Sequence, residues 1–285
     1  MILVLGATGN TGGEVLARLV ELGSPVRALA RSPEKAEVLA ATGVDVALGD
    51  MTDPVAMAAA LQGVDRLFLL SPPHPEQLEM ESAAIAAAEE ADVSLIVKLS
   101  VLSAGPDSAL ELGRTHGAIE DRLARSGIPN TVLRPGSFMQ NFFSDAPTIQ
   151  ADDTFFAPAG DGATAMVDSR DIAAVAAAVL SERTHVGDVL AITGPEAVTY
   201  HEAADALSAA TGRTIRYVDV PPEAAREGML AAGYPDWLVE DLLIIYAMQR
   251  DGYLTEVTPT VKEVARVEPR TFAEFARDFA PVFSA

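Results

Sequence analysis

The first sixteen residues, Met1-Ile-Leu-Val-Leu-Gly6-Ala-Thr8-Gly9-Asn10-Thr11-Gly12-Gly13-Glu-Val-Leu16, leave this chain few ways to begin. Apolar residues 2–5 form a buried strand, a glycine turn follows at once, and Val15, Leu16, Leu19 and Val20 then recur at a helical period. In such a unit Gly6 lets the chain reverse, Gly9 leaves room for a diphosphate at the backbone, and Gly12 lets the helix lie close to the strand. The amides at the helix N-terminus face the anion, and Thr8, Asn10 and Thr11 add short polar groups for its oxygens. Three glycines alone make only a tight turn; set between a strand and a helix, they predict a dinucleotide site.

The same alternation continues down the chain. Apolar runs at 26–30, 44–48, 65–70, 94–100 and 130–134 are separated by helical segments with short connections. This order predicts an α/β fold, a Rossmann-type doubly wound parallel sheet with right-handed crossovers, over residues 1–153. Residues 154–285 are expected to form a smaller, partly interleaved α/β region that binds substrate. The 285 residues contain no Cys, and the four His (His74, His116, His185, His201) lack metal-ligand spacing, so neither disulfides nor a metal is expected. A net charge of −21 disfavours nucleic acid, whose phosphates need basic patches. No apolar run reaches the roughly 18 residues of a membrane span and no signal peptide is evident, which predicts a cytoplasmic protein without membrane partners, a monomer or homodimer. Abundant Ala beside only three Lys suggests a bacterial source.

Site residues follow from the strand ends. The second strand ends at Arg31, where an acidic residue would bind the ribose hydroxyls of NAD and an Arg accommodates a 2′-phosphate, so NADP(H) is preferred over NAD(H). Arg31 is otherwise a solvated charge, and Lys35 one turn later fits either role. The turn at Asp50 and Met51 gives adenine a resting place. The fourth strand runs into Leu70-Ser71-Pro72-Pro73-His74-Pro75, a stiff loop at the ligand edge, expected to flank the nicotinamide half. Its His74 either meets substrate or is simply exposed. Lys98 lies inside the fifth strand on one face with Ser100; it either touches cofactor or substrate or forms a buried ion pair. Pro135, Gly136, Ser137 and Phe138 close the sixth strand at the same end. Further on, Met139, Phe142, Phe143, Met229, Trp237, Leu238, Ile245, Tyr246 and Met248 either roof an apolar acceptor pocket with Phe138 or belong to ordinary core.

The motifs Gly6-Ala-Thr-Gly-Asn-Thr-Gly12, Gly49-Asp50, His116 with Glu120, Leu133-Arg-Pro135, Phe138-Met-Gln-Asn141, Asp168-Ser-Arg-Asp171 and Thr193-Gly-Pro195-Glu196 resemble, in order, those of the NmrA-like atypical short-chain dehydrogenase/reductases. The likeness runs over nearly the whole chain and looks closest to the family's bacterial azoreductases, triphenylmethane reductases and type 2 quinone oxidoreductases. It implies an NAD(P)H-dependent oxidoreductase that passes hydride to a small conjugated acceptor of quinone, azo or iminium type. Ordinary members of the superfamily protonate a carbonyl with Tyr-x-x-x-Lys, yet none of the five Tyr here has a Lys four residues later. The corresponding helix carries His116-Gly-Ala-Ile-Glu120. At i and i+4 these two can pair, which would raise the histidine pKa. His116, with Lys98, is then a candidate catalytic group, or the pair is a structural tie. The missing tyrosine also fits an NAD(P)-binding redox sensor without turnover, and a reductase of one dedicated biosynthetic metabolite is a third possibility.

Overall fold

Strands apolar on both faces must be covered on both faces, and the computed structural model, which describes residues 1–284, arranges them accordingly. Seven parallel strands stand in the order β3-β2-β1-β4-β5-β6-β9. They are β1 (Ile2–Val4), β2 (Val26–Ala30), β3 (Asp45–Leu48), β4 (Arg66–Leu69), β5 (Leu95–Leu99), β6 (Asn130–Pro135) and β9 (Val189–Ile192). Helices α1 (Asn10–Glu21), α2 (Pro33–Ala40), α3 (Pro54–Ala60), α4 (Gln77–Glu90) and α5 (Glu111–Arg125) connect the first six. The chain leaves β3 at one edge and returns to β4 beside β1, so the winding reverses between β1 and β4. A crevice opens at such a reversal, on the carboxyl edge of the strands.

Two cores lie on the two faces of this sheet. One side holds Leu16 and Leu19 of α1 with Val175 and Val179 of α7 (Ser169–Glu182); the other holds Met57 of α3, Ile85 of α4 and Leu123 of α5. Although α7 and β9 come after residue 153, they pack on and extend the main sheet. A third core is aromatic. It gathers the 3₁₀ segment Met139–Asp145, α6 (Ala146–Asp152), β7 (Thr154–Ala157), α8 (Tyr200–Thr211), β11 (Arg216–Asp219), α11 (Phe272–Asp278) and α12 (Ala280–Phe283). The pair β8 (Ala163–Thr164) and β10 (Val198–Thr199) precedes α8, whose Thr199 and Glu202 form a reciprocal cap; α9 (Pro222–Ala231) and α10 (Asp236–Arg250) follow β11.

At the margin of this aromatic core Asp145 is half-buried beside Tyr200 and Tyr246, and burial pushes its carboxyl pKa up to about 7. A native pKa above the unfolded value means the folded state holds a proton that the unfolded chain has lost between about pH 4 and 7, so this residue's contribution to stability falls as pH rises through that window. Asp145→Asn is therefore expected to raise stability by roughly 1–3 kcal/mol at pH 8 and hardly at all at pH 4. Thermal melts at the two pH values test this; equal gains at both would refute the titration.

Candidate active site

The crevice at the winding reversal is a cavity of about 920 Å³. Its walls come from the carboxyl ends of β2, β1, β4, β5 and β6 and from α10 above them. At its centre Gly6 turns the chain with φ +69°, a conformation that favours glycine. Helix α1 then starts with no side-chain cap and no acidic residue in its first turn, so the amides of Asn10, Thr11 and Gly12 are left for a ligand. Thr8, Gly9, Asn10, Thr11 and Gly12 all line the cavity. Uncapped amides at a glycine turn suit a diphosphate.

One end of the cavity is basic. Arg31 directly follows β2, Ser32 caps α2 by accepting from the Lys35 amide, and all three residues line the wall. Met51 lines it too, whereas Asp50 sits outside and places a carboxylate oxygen 3.9 Å from Arg31. The Thr52 backbone amide holds the Asp50 carboxyl below its usual range.

The other end is apolar and contains the polar groups suited to chemistry. Leu70, Ser71, Pro72, Ser100, Pro135, Gly136, Ser137 and Phe138 line it together with His116, while Leu110, Leu112, Leu238, Leu242, Ile245 and Met248 form the far wall. Behind His116 lies a buried network. The Lys98 ammonium, with no exposed surface, stands 2.9 Å from Glu81 Oε2 and 3.2 Å from Glu81 Oε1, which is equally buried. It also donates to the Leu99 carbonyl and lies 3.2 Å from His116 Nδ1. Glu81 Oε1 accepts further from Ser71 Oγ at 2.8 Å and Gln77 Nε2 at 3.3 Å. Burial first, and then the Lys98 charge, press the His116 pKa down to about 2, so the imidazole is neutral. Burial likewise lowers the Lys98 pKa, against the pull of Glu81.

The pattern of the NmrA-like family matches residues 1–276. The chain belongs to that family. It is 41% identical over its whole length, and the whole of the relative, to an NAD(P)H azoreductase of Xenophilus azovorans. It is 40% identical to the (4-alkanoyl-5-oxo-2,5-dihydrofuran-3-yl)methyl phosphate reductase of Streptomyces griseus, covering all of this chain and 99% of that one. The crystal structure of an Escherichia coli quinone oxidoreductase complexed with NADPH superimposes with a TM-score of 0.87 at 33% identity, over 98% of this chain and 99% of the other.

In this NmrA-like protein several expected contacts are rearranged. His116 and Glu120 do not pair. Glu120 accepts from Ser100 Oγ and from Arg134, with Arg134 Nε at 3.1 Å, while His116 goes to Lys98. Strand β5 presents Lys98 to α5, Ser100 follows directly after the strand on the same side, and these partners outcompete an i, i+4 contact along the helix. The histidine pKa accordingly moves down, not up. Lys98 itself is shielded from the cavity.

Among the expected acceptor contacts, only Phe138, Leu238, Ile245 and Met248 reach the cavity. Met139 and Phe142 are 1% and 2% exposed and belong to the aromatic core. Tyr246 packs on Tyr200, with ring centroids 6.4 Å apart. Trp237 and the exposed His74 share a small crevice outside the main cavity, where His74 Nδ1 accepts from the Glu76 amide. Met229 and Phe143 also lie off the wall. The cavity face of α10 is Leu238, Asp241, Leu242, Ile245 and Met248, and Trp237 and Tyr246 flank that stripe. Sequence reasoning missed Asp241, Glu81 and Gln77, although the i, i+3, i+4, i+7 spacing of Leu238, Asp241, Leu242 and Ile245 marks one helix face. Asp241 is buried, and its two oxygens accept from the amides of Glu111 and Leu112 at 2.8 Å each. Helix α5 has no cap of its own, so α10 caps it and thereby fixes the base of the helix that carries His116. Among the described residues no acidic or histidine cluster is placed to hold a metal, and no helix is long and apolar enough to cross a membrane.

Proposed function

We propose that this protein is an NADPH-preferring reductase that passes hydride to a flat, conjugated small-molecule acceptor of quinone, azo or iminium type. The observation that carries the reading is one continuous cavity running from two cationic side chains, past an uncapped glycine-turn helix, to an apolar chamber with a neutral histidine in its wall. Gly6, Gly9 and Gly12, with Thr8, Asn10 and Thr11, would hold the diphosphate; Arg31, with Ser32 and Lys35, would hold the 2′-phosphate; Met51 would border the adenine, with Asp50 outside the wall beside Arg31. Leu70, Ser71, Pro72, Ser100 and Pro135 to Phe138 would surround the nicotinamide. The cofactor supplies the hydride, and the chain's own residues position the acceptor, exclude water from the chamber and deliver a proton where one is needed. The azoreductase and quinone oxidoreductase among its relatives support this acceptor class. The furanone phosphate reductase favours a second reading, a single unsaturated lactone-like metabolite, which shares the requirement for an activated conjugated bond. A bacterial cytoplasmic enzyme, acting as monomer or homodimer, completes the proposal.

The test is NADPH consumption with a panel of quinones, azo dyes, cationic dyes and unsaturated lactones. Arg31→Ala is expected to raise KM for NADPH about tenfold and leave KM for NADH nearly unchanged, the loss of one charge-assisted contact at an exposed site. An equal change for both cofactors would remove Arg31 from the 2′-phosphate site. Tight NADPH binding with no consumption by any acceptor would favour a sensor instead.

A further inference from the structure

We infer that Glu81, Lys98 and His116 form a proton-delivery chain that replaces the absent Tyr-x-x-x-Lys, with His116 touching the acceptor and Lys98 acting through it. The inference rests on the reductase reading above. Its geometry starts at the lysine. An ammonium has three N–H donors and no acceptor, and the three acceptors around Lys98 Nζ are the Glu81 carboxylate, the Leu99 carbonyl and His116 Nδ1 at 3.2 Å. Nδ1 therefore offers its lone pair, and the ring proton sits on Nε2. Nε2 has no hydrogen-bond partner among the described residues and is not sealed in the core, and the ring lines the acceptor end of the cavity. The free N–H is thus the one available to an acceptor.

A neutral imidazole N–H is a weak acid alone. Backed by an ammonium, it can pass one proton forward while receiving another behind. For a quinone, the hydride that a bound nicotinamide would supply carries one proton and two electrons, and its transfer would leave the second quinone oxygen negative. The Nε2–H bond breaks as an O–H bond forms there; the Nζ–H bond to Nδ1 breaks as Nδ1–H forms. The two electrons would come from the bound cofactor, the quinone would end as a hydroquinone, and Lys98 is left a neutral amine beside the Glu81 carboxylate. Once the product leaves, water in the cavity returns a proton to Nε2 and the Nδ1 proton goes back to Lys98. Glu81, itself held by Ser71 and Gln77, favours the charged form of the buried lysine against the cost of burial. The groups facing Lys98 are Glu81 from α4 and His116 and Glu120 from α5, and Glu120 is committed to Arg134 and Ser100.

This chain makes a distinction between acceptors that packing alone would not. Hydride transfer to a triarylmethyl cation gives a neutral product and consumes no proton, so the chain is idle with that acceptor. The experiment compares kcat for a benzoquinone and for a cationic triarylmethane dye at saturating NADPH, read as the quinone-to-dye ratio so that general losses cancel. The double variant Glu81→Gln/Lys98→Met removes the ammonium and its counter-ion together, leaving no lone buried charge. His116→Gln keeps an N–H in place but cannot relay a proton, and it provides an independent reading should the double variant fail to fold. In each variant the ratio is expected to fall about 100-fold, the size of a general-acid contribution, through kcat and not through KM. The native protein should show a solvent deuterium isotope effect with the quinone and none with the dye. A native protein active on both, with the ratio within about threefold in the variants, overturns the proton chain and leaves the reductase reading standing. A native protein that binds NADPH and reduces neither acceptor overturns both.

Discussion

Gly12→Ala is expected to abolish useful NADPH binding, weakening it at least 100-fold, and to cost about 2–3 kcal/mol of stability by overpacking. A Cβ at this position would stand 2.2 Å from the Gly6 carbonyl oxygen and 2.5 Å from the Gly6 carbonyl carbon. Both are backbone atoms of the turn, so no flexible side chain can yield. Helix α1 must lift away from β1, and its first-turn amides move with it, off the position that the turn gives them. The neighbouring Gly13 supplies a control. Its added Cβ would meet only the Ala7 carbonyl oxygen at 3.5 Å, an ordinary contact, so Gly13→Ala should bind NADPH as the native protein does. Cofactor titration and urea unfolding of the two variants read the difference. Matching affinities in both would show that the close approach of helix and turn does not set the diphosphate site.

Phe142→Ala separates core from chamber. The ring is 2% exposed and stands edge-on to Phe155, Tyr200 and Phe272, with centroids 5.3, 5.3 and 4.9 Å away. Truncation empties a site whose neighbours are locked against one another, so the expected loss is about 3–5 kcal/mol. In a protein of this size that lowers Tm by roughly 10 °C. Below the new Tm, KM for the acceptor should be unchanged, because the ring does not reach the cavity. A raised KM with stability retained would place Phe142 in the acceptor chamber after all.

The alternation of apolar strands and helical segments was legible because each strand of the sheet's interior is apolar on both faces and bounded by turns. β1 and β4 show this best, with Ile2, Leu3, Val4, Leu67, Phe68 and Leu69 entirely buried. That Gly6, Gly9, Gly12 and Arg31 share one end of a cavity was equally legible: they sit within one strand, turn and helix or directly after the next strand, and local order in sequence is local order in space. The acceptor end was not. Its wall combines β4, β5, β6, α5 and α10, and α10 begins over a hundred residues after β6 ends. Aromatic and Met residues stand out there in the sequence, yet Met139 and Phe142 are core and Tyr246 packs against that core, since large apolar side chains serve an interior as well as a pocket.

Lys98 and His116 mark the division most sharply. A lysine inside an apolar strand and a histidine on the helix after it, in a chain with no Tyr-x-x-x-Lys, are both visible in the sequence, and each signals something unusual. Which partner each takes is a tertiary matter. Glu81 arrives from α4, seventeen residues before Lys98, and completes an ion pair with no exposed surface, while Arg134 from β6 claims Glu120. The sequence by itself determined the doubly wound sheet and the glycine turn between β1 and α1, because hydrophobic period and glycine spacing act over neighbouring residues. Only the packing of separate elements decided the burial and the partner of His116 and the composition of the cavity's apolar wall, because burial and hydrogen-bond partners are set by residues distant in the chain.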